Sequence, residues 1–137
     1  MTRTRAASAG ALAALVWAAA EPLDRRLLRH DYSDVALLGK FVTRSRAWPV
    51  AGLALHAGNG AVFGLAYREL RRHARIGAVP LALAEHVTLF PLGALADRFH
   101  PARRGPGLAP LFSAPAFVQA TWRHMLFGAV LNRLAGE

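Results

Sequence analysis

Residues 53–67 read LALHAGNGAVFGLAY, a run without formal charge that carries a histidine and an asparagine near its centre. The run lies within a longer apolar stretch, 47–67, which has the roughly 20 residues that a helix needs to cross a bilayer. It therefore predicts a membrane-spanning helix that contains His56 and Asn59. Because polar groups at that depth are costly, these side chains need partners on neighbouring helices.

Four stretches of the chain are poor in charge, and arginine-rich segments separate them. They predict membrane spans at about 6–28, 48–67, 76–96 and 114–135, in one membrane domain that covers residues 1–137. The fourth span is long enough to cross the bilayer but carries Arg123 and His124 near its middle. The expected fold is all-α, an integral membrane four-helix bundle.

The segment after the first span predicts a short additional helix at about 33–45. Ser33 and Asp34 are suitable caps for its start. Lys40, Arg44 and Arg46 flank its apolar residues, which is typical of an amphipathic helix that lies at the lipid headgroups. The segment is too short to cross the membrane. The alternative is a helix packed against the loop side of the bundle.

Composition narrows the class of protein. The 137 residues are 54% hydrophobic and 18% charged, with a formal net charge of +9. The basic residues concentrate at the ends of the apolar runs, where they can meet anionic headgroups, and no nucleic-acid-binding motif is present. The chain has no cysteine, which excludes disulfides and thiolate chemistry. Lys40 is the one lysine among 17 basic residues, a bias that indicates a GC-rich bacterial genome.

The first 20 residues have the features of a secretory signal: a basic start, an apolar run and small residues before Glu21. Cleavage there would leave a three-helix protein. We prefer an uncleaved signal anchor that stays as the first span, because the later segments need a membrane partner.

Helical spacing places His56, Gly60 and Gly64 on one stripe of the second span, and Asn59 falls beside them. Gly60 and Gly64 form a GxxxG pair, which allows the backbone of a neighbouring helix to approach closely. The histidine and the asparagine are therefore expected to face the interior of the bundle.

A polar cluster is predicted at the middle of the membrane. Counting along each span puts the histidines of three helices at a similar depth, roughly 12–15 Å from the helix starts. Glu85 and Arg123 are the expected ion pair, and Glu21 is a second candidate partner for the arginine. The predicted cluster consists of His56, Asn59, Glu85, His86, Arg123 and His124. The other histidines, His30, His73 and His100, are expected to be solvated.

Several functions fit such a cluster. No catalytic triad, phosphate-binding loop or paired-acid motif is present, so we assign no catalytic residues and favour a non-enzymatic protein. In the preferred interpretation, the cluster holds the bundle or a partner together without a cofactor. The alternatives are binding of haem or a divalent metal by His56, His86 and His124, and translocation of protons or ions. The expected partners are membrane lipids, anionic headgroups, a second copy of the chain or another membrane protein.

Several segments of the chain together resemble a family of small, uncharacterised four-helix proteins of the bacterial inner membrane. The segments are WAAAEPLDRRL, DYSDVALLGK, LALHAGNGAVFGLAY, DRFHPARR and QATWRHMLFG, together with the EH pair of the third span. The H…NG..FG..Y run also loosely resembles inner-membrane proteins linked to acid resistance. These resemblances imply an architecture and a multi-pass location in the bacterial inner (plasma) membrane, and no activity.

Overall fold

The structure, a computed structural model, describes residues 1–136, and in that range it contains helices and no β-strand. The predicted all-α class is therefore confirmed. The helices are α1 (Arg3–Leu27), α2 (Asp34–Val42), α3 (Trp48–Leu70), α4 (Ala78–Leu89), α5 (Gly93–Phe99) and α6 (Ala114–Ala135), with a 3₁₀ turn at Phe90–Leu92 between α4 and α5.

In the described part of the chain, three helical segments are long and apolar enough to cross a membrane. They are Arg3–Leu27, Trp48–Leu70 and Ala78–Phe99. The third combines α4, the 3₁₀ turn and α5. Pro91 lies within that turn, where its missing backbone N–H interrupts the α-helical hydrogen bonding. Pro22 lies inside α1, which continues to Leu27, close to the end of the predicted span 6–28.

The helices pack in an open arc. Helix α1 packs against both α3 and α6, while α2 packs against α3 and α4 packs against α6. Across residues 1–136, α3 and α4 make almost no direct contact. The arc therefore runs α3, α1, α6, α4, and its two ends face one another across a gap.

Glycines bring α1 and α3 into backbone contact. A Cβ atom added at Gly10 would lie 2.0 Å from the carbonyl oxygen of Gly60, and one added at Gly64 would lie 2.2 Å from that of Ala6. The predicted packing stripe of α3 is thus the face that contacts α1. Residues before position 20 contribute much of the buried core, including Ala9, Ala13, Ala14 and Trp17.

Helix α2 is shorter than the predicted segment 33–45 and packs closely on α3. The Ser33 hydroxyl caps it by accepting a hydrogen bond from the backbone N–H of Ala36. A Cβ added at Gly39 would lie 2.0 Å from the Trp48 carbonyl oxygen, so the two helices cross at backbone distance. The opposite face of α2 exposes Phe41 and Val42, which are 69% and 61% exposed. The helix therefore both packs on the bundle and presents an apolar outer face.

Polar and charged side chains are among the most deeply buried, and many large apolar side chains are exposed, unlike in a typical water-soluble protein. The largest fully buried side chains are Arg123, Tyr67, Leu131 and Gln119. Large apolar side chains cover the outside, among them Leu12, Val50, Val62, Val87, Val118 and Trp122. Such extended apolar surface indicates contact with lipid or with other proteins rather than with water.

Candidate functional site

Arg123 lies at the centre of the helices, with no solvent exposure. Its Nε donates to Oδ2 of Asp24 at 2.6 Å, and its Nη2 donates to Oδ1 of the same carboxylate at 2.7 Å. Nη1 donates to Oδ2 of Asp34 at 2.9 Å, and Nη2 also donates to the Tyr32 carbonyl at 3.0 Å. This bidentate and charge-assisted bonding joins α6 to the end of α1 and the start of α2.

The carboxylates around Arg123 are themselves held by other donors. Asp34 accepts from the Trp17 indole N–H at 3.0 Å and from the Tyr32 hydroxyl at 2.5 Å. Burial alone would raise the pKa of Asp34, but the charge of Arg123 and the Tyr32 hydrogen bond keep that pKa below its ordinary value. Glu21 accepts from the Ser33 hydroxyl and from the backbone N–H of Asp34. We call Arg123, Glu21, Asp24 and Asp34 the arginine clamp.

The predicted ion pair between Glu85 and Arg123 is wrong. Arg123 contacts three carboxylates from α1 and α2, and Glu21, the second candidate, lies 3.7 Å from it. Glu85 is 41% exposed at its side chain and lies 4.0 Å from Nε2 of His124. The error arises because the pairing was made by depth alone, whereas α6 packs against α1, whose last turns carry Glu21 and Asp24.

The three midplane histidines come together, but a tryptophan separates two of them. The ring centroid of Trp17 lies 5.2 Å from that of His56 and 4.7 Å from that of His124. His86 stacks on His124 with 4.8 Å between centroids. Within residues 1–136, no group of three or more histidines or carboxylates is placed to hold a metal ion. The three candidate metal ligands therefore do not form a ready ligand set.

A cavity of about 390 Å³ lies where α3 and α4 fail to meet. Its polar lining includes Trp17, Asp34, His56, Asn59, Glu85, His86 and His124. Its apolar walls come from every long helix and from the inner side of α2, and they include Phe63, Phe90 and Phe127. We call this cavity the histidine cleft. Asn59 and Glu85 are both exposed. Asn59 therefore lies at the edge of the cleft and not in the interior of the bundle, where it was expected.

The expectation that the remaining histidines are solvated is correct for one of three. The side chain of His73 is 76% exposed beside Glu69. His100 is buried, and its Nε2 bonds the Leu37 carbonyl at 2.9 Å. His30 is also buried, and this burial lowers its pKa below the ordinary value. The segment before α6 covers His30 through Pro110, and His100, at the start of that segment, packs against Leu37 and Phe41 of α2.

That segment is fixed by the loop after α1. One carboxylate oxygen of Asp31 accepts from the backbone N–H of Gly107 at 3.0 Å, and the other accepts from Arg25. These two donors hold the pKa of Asp31 below its ordinary value. In addition, the backbone carbonyl of Asp31 accepts from the N–H of Ala109 at 2.9 Å. The loops at this end of the bundle thus close over the arginine clamp.

The sequence patterns missed Trp17, Asp24 and Asp34 as site residues. A signal was present for two of them: Trp17, Glu21 and Asp24 are spaced i, i+4 and i+7, which is one face of a helix. Asp34 was interpreted only as a helix cap. Its side chain instead turns toward Arg123, while its backbone N–H bonds Glu21.

No known protein family, curated protein or solved structure matches this chain.

Proposed function

We propose that this chain is a non-enzymatic, multi-pass protein of the bacterial inner membrane with four spanning helices. In this proposal the arginine clamp holds the helices together, and the histidine cleft receives a partner molecule from the bilayer. The observation that carries the proposal is the 390 Å³ cavity between α3 and α4, whose polar lining includes every residue of the predicted midplane cluster except Arg123. The arginine bias and the family resemblance support the bacterial inner-membrane location.

The fourth span is supported by the shape and the two faces of α6. Its 22 residues extend about 33 Å, enough to cross the hydrocarbon core. Its polar side chains Gln119 and Arg123 are buried inside the bundle, while Val118, Trp122 and Met125 are exposed on the outer side. A charge carried in this way does not meet lipid, because its partners come from α1 and α2.

The arginine clamp does not occupy the cleft and leaves it free for a partner. Arg123 donates hydrogen bonds from its guanidinium group to Asp24, Asp34 and a backbone carbonyl. It fixes α1 and α6, which form the back wall of the cleft, while α3 and α4 stand apart as its two sides. An opening between two spanning helices faces the bilayer, so we infer that a partner enters laterally.

A binding cleft is better supported than a proton path through the same groups. The indole of Trp17 lies between His56 and His124, at 5.2 and 4.7 Å from their ring centroids. Its N–H donates to Asp34, and an indole N–H cannot accept a proton from a neighbouring histidine. The histidines therefore lack a continuous chain of exchangeable hydrogen bonds.

The lateral opening predicts that Trp17 can be reached from the lipid although it is only 7% exposed. In protein carrying Trp48→Phe and Trp122→Phe, Trp17 is the remaining tryptophan. In bilayers with brominated acyl chains, we expect its fluorescence to be quenched, while aqueous iodide leaves it unchanged. Protein with Trp17→Phe and Trp48→Phe retains the exposed Trp122 as its single tryptophan and gives the reference for full lipid contact.

Leucine substitutions at two alanines of α6 serve as the control. Ala120→Leu should block quenching of Trp17 because Ala120 lines the cleft, whereas Ala129→Leu, on the exposed side, should not. Absence of bromolipid quenching at Trp17, with strong quenching at Trp122, would show that the cleft is closed to the bilayer and would refute the proposal.

A further inference from the structure

The histidine cleft has an unusual polar lining, made almost entirely of hydrogen-bond acceptors. The tautomer of His124 follows from its fixed partner. In His124, Nδ1 lies 2.7 Å from the Ala120 carbonyl, which only accepts, so Nδ1 carries the proton and Nε2 is a bare acceptor. Nε2 of His56 has no hydrogen-bond partner although the residue is only 8% exposed.

His86 follows the same rule through a hydroxyl. The Thr121 hydroxyl donates to the Phe117 carbonyl at 2.8 Å, so its oxygen accepts from Nε2 of His86 at 3.1 Å. That leaves Nδ1 of His86 without a proton. His86 and His124 thus each have one acceptor nitrogen that their own hydrogen bonds do not use, and Nε2 of His56 has no partner.

The charges at the cleft have one sign. Asp34 and Glu85 line it, and no lysine or arginine is among the described residues that do so. The nearest buried cation, Arg123, is fully engaged in the arginine clamp. The hydroxyl of Tyr32 and the indole N–H of Trp17 are both directed to Asp34. Neither of these two donors is therefore available to a ligand.

The walls suit a cation with an apolar tail. Trp17, Phe63, Phe90 and Phe127 line the cleft, and aromatic faces attract cations that have left water. The volume lies at the lower end of the range of about 300–1,000 Å³ that is usual for small-molecule sites. A carboxylate or phosphate head would meet the carboxylate of Glu85 and several acceptors, and would be repelled.

We propose that the histidine cleft binds a lipid-soluble primary amine in its protonated form. The ammonium group donates its hydrogens to Glu85 and to Nε2 of His124, which lie 4.0 Å apart, and the hydrocarbon tail lies along the aromatic wall toward the bilayer. This proposal rests on the proposed function, because the tail needs the lateral opening between α3 and α4.

The test compares four probes that share one tail. Dodecylamine, dodecyltrimethylammonium, dodecanol and dodecanoate are titrated at pH 7.5, with Trp17 fluorescence in the single-tryptophan protein in nanodiscs as the readout. Alkylamines resemble lysine, whose pKa is about 10.4, and are protonated at this pH. We expect dodecylamine to bind at least about 10-fold more tightly than the alcohol, a difference of about 1.4 kcal/mol. The quaternary amine, which lacks N–H donors, should be intermediate and the carboxylate weakest.

Matched variants separate specific binding from partitioning of an amine into the membrane. Glu85→Gln should weaken dodecylamine binding about 10-fold or more, since charge-assisted bonds are among the stronger ones. Glu69→Gln, at an exposed glutamate outside the cleft, should leave it unchanged. Glu85 is itself exposed, so its amide variant should fold, and circular dichroism checks this.

The outcomes distinguish the two proposals. Equal affinity for amine and alcohol, or equal effects of Glu85→Gln and Glu69→Gln, would overturn the amine assignment. If bromolipids quench Trp17 in the same preparation, the cleft remains a bilayer-facing site for another ligand. If they do not, the proposed function fails as well.

Discussion

Replacement of Arg123 by glutamine is expected to prevent assembly of the bundle or to destabilise it severely. The side chain is fully buried and makes four hydrogen bonds, three to the carboxylates of Asp24 and Asp34 and one to the Tyr32 carbonyl. Glutamine can replace at most two of these bonds and none of the charge. Removal of one partner from a buried ion pair typically costs about 3–5 kcal/mol, because the other charge is left unpaired.

The measurement is thermal unfolding of the purified protein in lipid nanodiscs, followed by far-ultraviolet circular dichroism. Arg133→Gln is the matched control, since Arg133 is on the same helix but exposed. The double variant Asp24→Leu with Arg123→Leu should recover part of the loss, because apolar replacement of a whole buried pair is often tolerated. Unfolding of Arg123→Gln at the wild-type temperature would show that the clamp does not hold the helices.

A second large loss of stability is expected when Gly60→Ala adds one methyl group between α1 and α3. A Cβ at Gly60 would lie 2.4 Å from the Gly10 carbonyl oxygen and 2.6 Å from Cβ of Ala14. A Cβ at Gly58, two residues earlier on the same helix, meets nothing within 4 Å. Both alanine variants gain the same helix propensity, so their difference reports packing alone, which we expect to be about 1–3 kcal/mol.

The same unfolding assay decides this prediction. Gly58→Ala should match or exceed the wild-type stability, whereas Gly60→Ala should fall well below it. Gly10→Ala, the reciprocal change on α1, should behave like Gly60→Ala because its Cβ would be 2.0 Å from the Gly60 carbonyl oxygen. Similar melting of Gly58→Ala and Gly60→Ala would contradict close contact between the two helices.

Much of the helical layout follows from the sequence, because apolar length and charge-free runs report directly on single helices. The start of α3 at Trp48, the cap at Ser33 and the start of α6 after Ser113 agree with local signals. The packing stripe with Gly60 and Gly64 also follows from spacing within one helix.

The pairing of polar groups could not be predicted in the same way, because it depends on which helices are neighbours. Glu85 and Arg123 were matched by depth, but α1 lies against α6 on the side where the arginine points. Asp24 lies within the predicted first span, but no pattern along that span shows that its side chain faces α6.

The central claim is that α6 crosses the membrane with Arg123 inside the bundle, and side-specific labelling tests it most directly. The chain has no cysteine, so single substitutions at Arg72, Arg103 and Arg133, all exposed, can be labelled without background. With a membrane-impermeant maleimide on sealed vesicles of one orientation, we predict that positions 72 and 133 share one side and position 103 lies on the other. Labelling of positions 103 and 133 from the same side would contradict the four-span account.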